Sequence, residues 1–169
     1  VWVYLLAAGA KVFPQVGMAD IAMALSAVFT FGSSLCLCFV FKEALGTRAL
    51  LAPLALVSID LFRLFPGLET PLAVFALSLA LWSWFCVRSL PLAAAVVAFA
   101  FFCRGDAILV GIPIGGLALV QAFRADPTRT RLKRDIWRAS LSAGIVLFSG
   151  LLIQFAITGD VLPSTLSAK

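Results

Sequence analysis

The chain has 169 residues, of which 63% are hydrophobic and 12% charged, with a net charge of +5 and no histidine. With a mean hydropathy of +1.10, it carries more apolar surface than a water-soluble fold of this length can hide, so the composition predicts a membrane protein. Histidine-based catalysis and most zinc chemistry are excluded, and Cys36, Cys38, Cys86 and Cys103 lie in apolar runs without CxxC spacing, where they read as small buried hydrophobes.

The first residues include no initiator Met, charged n-region or cleavage site, so the chain reads as an internal piece of a longer protein. VWVYLLAAGAKVF sets Trp2 and Tyr4 near one end and Lys11 near the other, which suits an interfacial helix or the tail of a truncated span. Pro14 breaks this stretch. Val16 to Phe41 is long enough to cross a bilayer, with Asp20 near its start. Lys42, Glu43 and Arg48 then make a polar turn around Gly46, and Ala49 to Phe65 forms a second crossing. Asp60 and Arg63, three apart on one helical face within it, form either a structural ion pair at a helix end or the lining of a polar cavity.

PGLETP, Pro66 to Pro71, is the next turn, and Pro71 to Val87 crosses again with Arg88 at its end. Leu90 to Cys103 is short for a span at about 1.5 Å per residue, with Pro91 at its start. Arg104, Gly105 and Asp106 form a polar island, Ala107 to Phe123 returns, and Ala139 to Ile157 crosses last before the polar tail Thr158 to Lys169.

Between the last two segments lies the long polar run Arg124 to Arg138. It holds Arg124, Arg129, Arg131, Lys133, Arg134 and Arg138 against Asp126 and Asp135. Lys and Arg are retained on the cytoplasmic side during insertion, so this loop is expected inside. A nucleic-acid patch fits less well, because only Trp137 interleaves the cations and the flanks are membrane-like. The net charge is mostly this run and describes topology rather than an anionic partner. Counting Leu90–Cys103 as a span brings the Lys42–Arg48 turn and the basic loop to one side. Nine cations then lie inside, while Lys11, Arg63, Arg104 and Lys169 lie at the outer face. The expected fold is an all-α polytopic transmembrane helical bundle of about six spans. Residues 1–169 form a single transmembrane domain of a longer membrane domain, multi-pass in the inner or plasma membrane.

That count puts PGLETP, RGD and TGDVLPST on the extracytoplasmic side with Asp20, Asp60 and Arg63. A transporter more often holds its polar groups near the midplane on interrupted helices, for which GIPIGG (Gly111, Pro113, Gly115, Gly116) is the one candidate interruption. A transporter or lipid-linked sugar flippase, or a non-catalytic membrane subunit, remains the alternative to an enzyme.

GLETP, the CRGD stretch and GDVLPSTLSAK resemble polytopic glycosyltransferases of the GT-C superfamily, in particular bacterial mannosyl- and arabinofuranosyltransferase-like members that use polyprenyl-phosphate sugars. Gly159, Asp160, Pro163, Thr165 and Lys169 stand as a Gly-Asp-x-x-Pro-x-Thr-x-x-x-Lys stretch does there, with Ser164 where that family often has Asn. VWVYLLA similarly resembles the segment after those enzymes' first outer loop, and the likeness spans most of the chain. The resemblance implies sugar transfer from a polyprenyl-phosphate donor to a cell-envelope glycan or glycolipid acceptor at the extracytoplasmic face. It implies an acidic catalytic residue in a first outer loop upstream of Val1. An inverting transfer needs that carboxylate to take the acceptor hydroxyl's proton, and needs cations or a divalent metal to steady the departing phosphate. Within this chain Arg104 and Lys169 are the candidate phosphate binders, and Glu69 and Asp160 the candidates for orienting sugar hydroxyls. Helix cap, loop anchor or interfacial charge is the structural alternative for each. Asp106 reads as the partner of Arg104 or the next helix's N-terminal acid.

Overall fold

The computed structural model describes residues 1–51, 70–104 and 130–158, with residues 109, 111–113, 115–117, 120 and 124 between them. It is all-helical, with no strand among the described residues. The helices are α1 (Trp2–Val12), α2 (Met18–Leu45), α3 (Thr70–Phe85), α4 (Leu90–Cys103) and α5 (Thr130–Thr158), and a 3-10 turn (Gly46–Leu50) follows α2. The second crossing expected at Ala49–Phe65, and with it Asp60 and Arg63, lies mostly or wholly outside the described residues.

Contacts set the direction of each helix. Trp2 stacks near Phe29 at 6.2 Å, and a Cβ on Gly9 would meet Ile21, so α1 folds back on the first half of α2. Ala22 clusters with Leu72 and Ala73, while Phe29 packs on Phe75 at 5.6 Å. Increasing numbers therefore match, and α2 and α3 are parallel. Leu72 and Ala73 share a cluster with Cys103, and Ala76 clusters with Ala100, so α3 and α4 are antiparallel. Ser142 of α5 donates to the Pro91 carbonyl at 2.8 Å, and Gly150 lies against Phe102, which makes α4 and α5 parallel. Both parallel pairs are joined by stretches described only in part, whose two ends lie at opposite ends of the bundle.

The first end thus carries Lys11, Asp20 and Arg104. The second carries Lys42, Arg48, Arg88, Lys133, Arg134, Asp135 and Arg138. This is the grouping that the count through Leu90–Cys103 requires. Asp20 occupies the first turn of α2, where a carboxylate complements the positive helix end.

Two helices, Met18–Lys42 within α2 and Lys133–Ile157 within α5, are long and apolar enough to cross a membrane. The helices α3 and α4, of 16 and 14 residues, reach about 24 and 21 Å at 1.5 Å per residue, against a hydrocarbon core of about 30 Å.

The packing chemistry is that of small residues. Ala73, Ala76, Ala80, Ala98 and Ala100 are buried, as are Ser33, Ser34, Ser78 and Ser83, whereas Phe31, Phe39, Ile145, Phe148 and Phe155 are exposed. Small side chains let helix backbones approach closely. Burial of the hydroxyls is tolerated because they bond back within their own helix: Ser33 donates to Phe29 O at 2.8 Å and Ser83 to Leu79 O at 2.7 Å. Ser34 does the same toward Thr30 O.

Several boundaries differ from those expected. Lys42 and Glu43 belong to α2 rather than to a turn, because both are good helix formers. The helix stops at Gly46, whose φ of 55° and ψ of −129° favour glycine. The expected loop before the last crossing is in part helix, since α5 begins at Thr130 rather than Ala139. Arg, Leu and Lys extend a helix readily into water, so charge marks a polarity boundary and not a helix end. Residues 2–12 are the expected helix, and Trp2 is buried at 5% exposure where that helix packs on α2. Cys86 is exposed, unlike Cys103, because α3 ends at Phe85 and leaves it in the turn.

Leu90–Cys103 matches its expected bounds. The Ser89 hydroxyl accepts from Leu92 N at 3.4 Å as its cap, and Pro91 sits in the first turn, where its missing N–H is not needed. Gly111, Pro113, Gly115 and Gly116 are all helical, so the interruption considered at GIPIGG is not seen at these residues.

Candidate functional site

The site forms at the first end, where α4 finishes beside the start of α3. The last turn of α4 closes with Arg104 N–H donating to Ala100 O at 2.9 Å. Arg104 itself turns to extended backbone, φ −151° and ψ 127°, which swings its side chain off the helix axis. Its Nη1 donates to Thr70 Oγ1 at 2.9 Å. Thr70 opens α3 and is followed by Pro71, so the hydroxyl sits at a helix start fixed by proline's φ. Thr70 is one of Arg104's partners.

Beneath this contact lies a small apolar floor. Trp2, Ala22, Leu72, Ala73 and Cys103 are buried together, with Leu5, Leu6, Leu25 and Phe29 packed against them. This cluster joins α1, α2, α3 and α4 next to Thr70 and Arg104 in the chain, and Arg104 is half-buried. An arginine guanidinium is planar, and a phosphate can take two of its N–H groups in parallel.

An apolar groove of about 420 Å³ runs along the other side of α4. Its walls include Val97 and Phe101 of α4, Gly111 and Gly115, and Ala143 and Leu147 of α5. Every lining residue is apolar, and its size is that of a ligand cleft. Arg104 follows Phe101 by three residues, about 4.5 Å of helical rise. Its guanidinium is turned to Thr70 of α3, on the opposite side of α4 from the groove.

Of the candidates named from sequence, Arg104 is the one within the described residues. Asp60, Arg63, Glu69, Asp106, Asp160 and Lys169 lie outside them. Among the described residues no three His, Cys, Asp or Glu side chains come together as metal ligands. The sequence reading missed Thr70, and it named Trp2 as an aromatic near one end of an interfacial or truncated segment rather than as part of this cluster. It read GLETP as a turn and singled out Glu69, although a Thr immediately before a helix-opening proline was the available signal. Comparison of the chain with protein-family models, with curated proteins and with solved structures finds no match.

Proposed function

We propose that this chain is part of a polytopic membrane glycosyltransferase that moves a sugar from a polyprenyl-phosphate donor to a cell-envelope glycan or glycolipid at the extracytoplasmic face. The observation that carries the reading is Arg104, held by Thr70 at 2.9 Å at the end of α4 beside buried apolar residues. A lipid phosphate needs this pairing of a cation at the bilayer surface with apolar surface beneath it. Arg104 steadies the charge that develops on the phosphate as the glycosidic bond to it breaks. The general base belongs to a loop preceding Val1, as the GT-C resemblance implies. Lys169 serves as a second phosphate contact, and Glu69 and Asp160 orient sugar hydroxyls. A divalent cation, if the reaction uses one, shares the phosphate with them.

In this reading the bundle spans the inner or plasma membrane about six times, with α2, α3, α4 and α5 among the spans. The inverted packing, small residues inside and Phe and Ile outside, supports lipid as the surrounding solvent. The charge bias supports the orientation, with Lys42, Arg48, Arg88, Lys133, Arg134 and Arg138 at the cytoplasmic end and Lys11 and Arg104 at the other. In a Cys-free background, Gln15→Cys therefore reacts with an impermeant thiol reagent in intact cells, and Thr47→Cys reacts only after permeabilisation. Equal labelling of the two positions removes the orientation.

The activity is tested with the intact protein in nanodiscs, given a radiolabelled polyprenyl-phosphate sugar and a glycolipid acceptor. Label appears in the acceptor, and a nucleotide sugar alone gives none. A flippase instead moves labelled donor between the leaflets of a vesicle and forms no new glycosidic bond, which overturns the assignment.

A further inference from the structure

The second end of the bundle has a feature that sugar transfer does not use. Along α5, Lys133, Arg134 and Trp137 are exposed, and Leu141, Ile145, Phe148, Leu152 and Phe155 continue the exposed surface. Their spacing of three and four residues puts them on one helical face. Trp137 is 69% exposed and Phe148 65%. This face reads, in order, as cations, an indole, and then hydrocarbon. From Trp137 to Phe155 it extends about 27 Å, close to a bilayer core of about 30 Å.

The start of α5 breaks a local rule of helix electrostatics. No acid occupies its first turn, while Arg131, Lys133 and Arg134 lie within its first five residues. Cations near the positive end of a helix dipole are unfavourable, and an anion there relieves both terms at once. Within the helix Asp135 is half-buried, whereas Lys133, Arg134 and Arg138 are exposed. Arg48 and Arg88, exposed at the same end, add to the field.

We propose that this face of α5 binds an anionic phospholipid of the cytoplasmic leaflet. Its phosphate lies among Lys133, Arg134 and Arg138, its glycerol region against Trp137, and its acyl chains along Leu141, Ile145 and Phe148. Recognition is electrostatic at the headgroup, with lysines and arginines immediately cytoplasmic of a span attracting anionic lipid. The indole suits the headgroup level. The proposal rests on the membrane reading given above, but not on the glycosyltransferase activity.

The test places the photoreactive residue p-benzoylphenylalanine at Leu141 in the intact protein. Nanodiscs contain equal amounts of phosphatidylglycerol and phosphatidylcholine with the same acyl chains, and lipid adducts are counted by mass spectrometry. The same probe at Phe31, on the exposed side of α2, is the reference. Phosphatidylglycerol adducts exceed phosphatidylcholine adducts by about threefold or more at 141 and are near parity at 31. Combined Lys133→Gln, Arg134→Gln and Arg138→Gln brings position 141 to parity. Equal adducts at 141 in the unmodified sequence overturn this inference and leave the membrane reading intact. So does a preference that survives the three substitutions. Absence of lipid adducts at both positions overturns the membrane reading itself.

Discussion

Arg104→Ala in the intact protein lowers sugar transfer by about a hundredfold, the usual cost of removing one donor to developing negative charge, while Arg104→Lys restores part of the rate. The partial rescue follows from geometry, because an ammonium replaces the charge but not the parallel pair of N–H groups. If the contact tightens as the donor bond breaks, the loss falls on kcat as well as on donor KM. Thr70→Val separates aim from charge. It removes the 2.9 Å contact to Nη1 and leaves the guanidinium in place, so the rate falls by less than in Arg104→Ala and the Lys variant no longer resembles the parent in its sensitivity to position 70. The measurement is transfer rate per folded molecule. A purely structural arginine predicts lower thermal stability with normal turnover of what remains folded, and that result ends its role in donor binding.

Gly32 and Gly144 respond in opposite directions to the addition of a side chain. A Cβ at Gly32 would lie 2.6 Å from Phe75 Cε2 and 2.9 Å from Cδ2. Phe75 cannot retreat freely, since Phe29 stacks on it at 5.6 Å. Gly32→Leu therefore overpacks the α2–α3 contact and costs about 3 kcal/mol. Gly32→Ala costs less, because the gain of about 1 kcal/mol in helix propensity offsets part of the clash. At Gly144 a Cβ meets nothing within 4 Å, and Gly144→Ala raises stability by about 0.5 to 1 kcal/mol. Thermal unfolding midpoints in one detergent give both signs. Phe75→Ala combined with Gly32→Leu recovers part of the loss if the clash is the cause. Equal midpoints for Gly32→Leu and its parent would remove the packing account of the α2–α3 interface.

Much of the fold was legible because it rests on single-residue signals. Apolar runs between polar islands marked the helices, and Leu90–Cys103 came out with its bounds because Pro91 and Arg104 fence it. The ends of α2 and α5 were not legible in the same way. Charges at Lys42 and from Arg131 to Arg138 mark where apolar surface stops, while the helix continues through residues that suit it. Helix pairing was hidden for a different reason. The sequences of α3 and α4 are apolar all round, so no face announces itself by contrast, and partners are selected by small residues such as Gly32, Ala76 and Ala100. The site was visible as a residue, Arg104, but not as a contact. Thr70 stands 34 positions earlier, and only the antiparallel pairing of α3 with α4 brings the two together. The remaining candidates, Asp60, Arg63, Glu69, Asp106, Asp160 and Lys169, were chosen on the same basis of type and position, and lie outside the described residues.

The arrangement of helices also sets an order of assembly. Only four residues, 86 to 89, separate α3 from α4, and their turn is fastened by Ser89 N–H donating to Ser83 O at 3.1 Å. This hairpin closes its Ala76–Ala100 contact at small loop entropy, as soon as both helices exist. The parallel pairs α2–α3 and α4–α5 have longer closures to make, across 24 and 26 intervening residues. The α1–α2 and α3–α4 hairpins thus close at the least loop entropy, and α5, the last of these helices to be made, docks onto α4 after them. Arg104 meets Thr70 as the α3–α4 hairpin closes, so this part of the site is set before α5 docks.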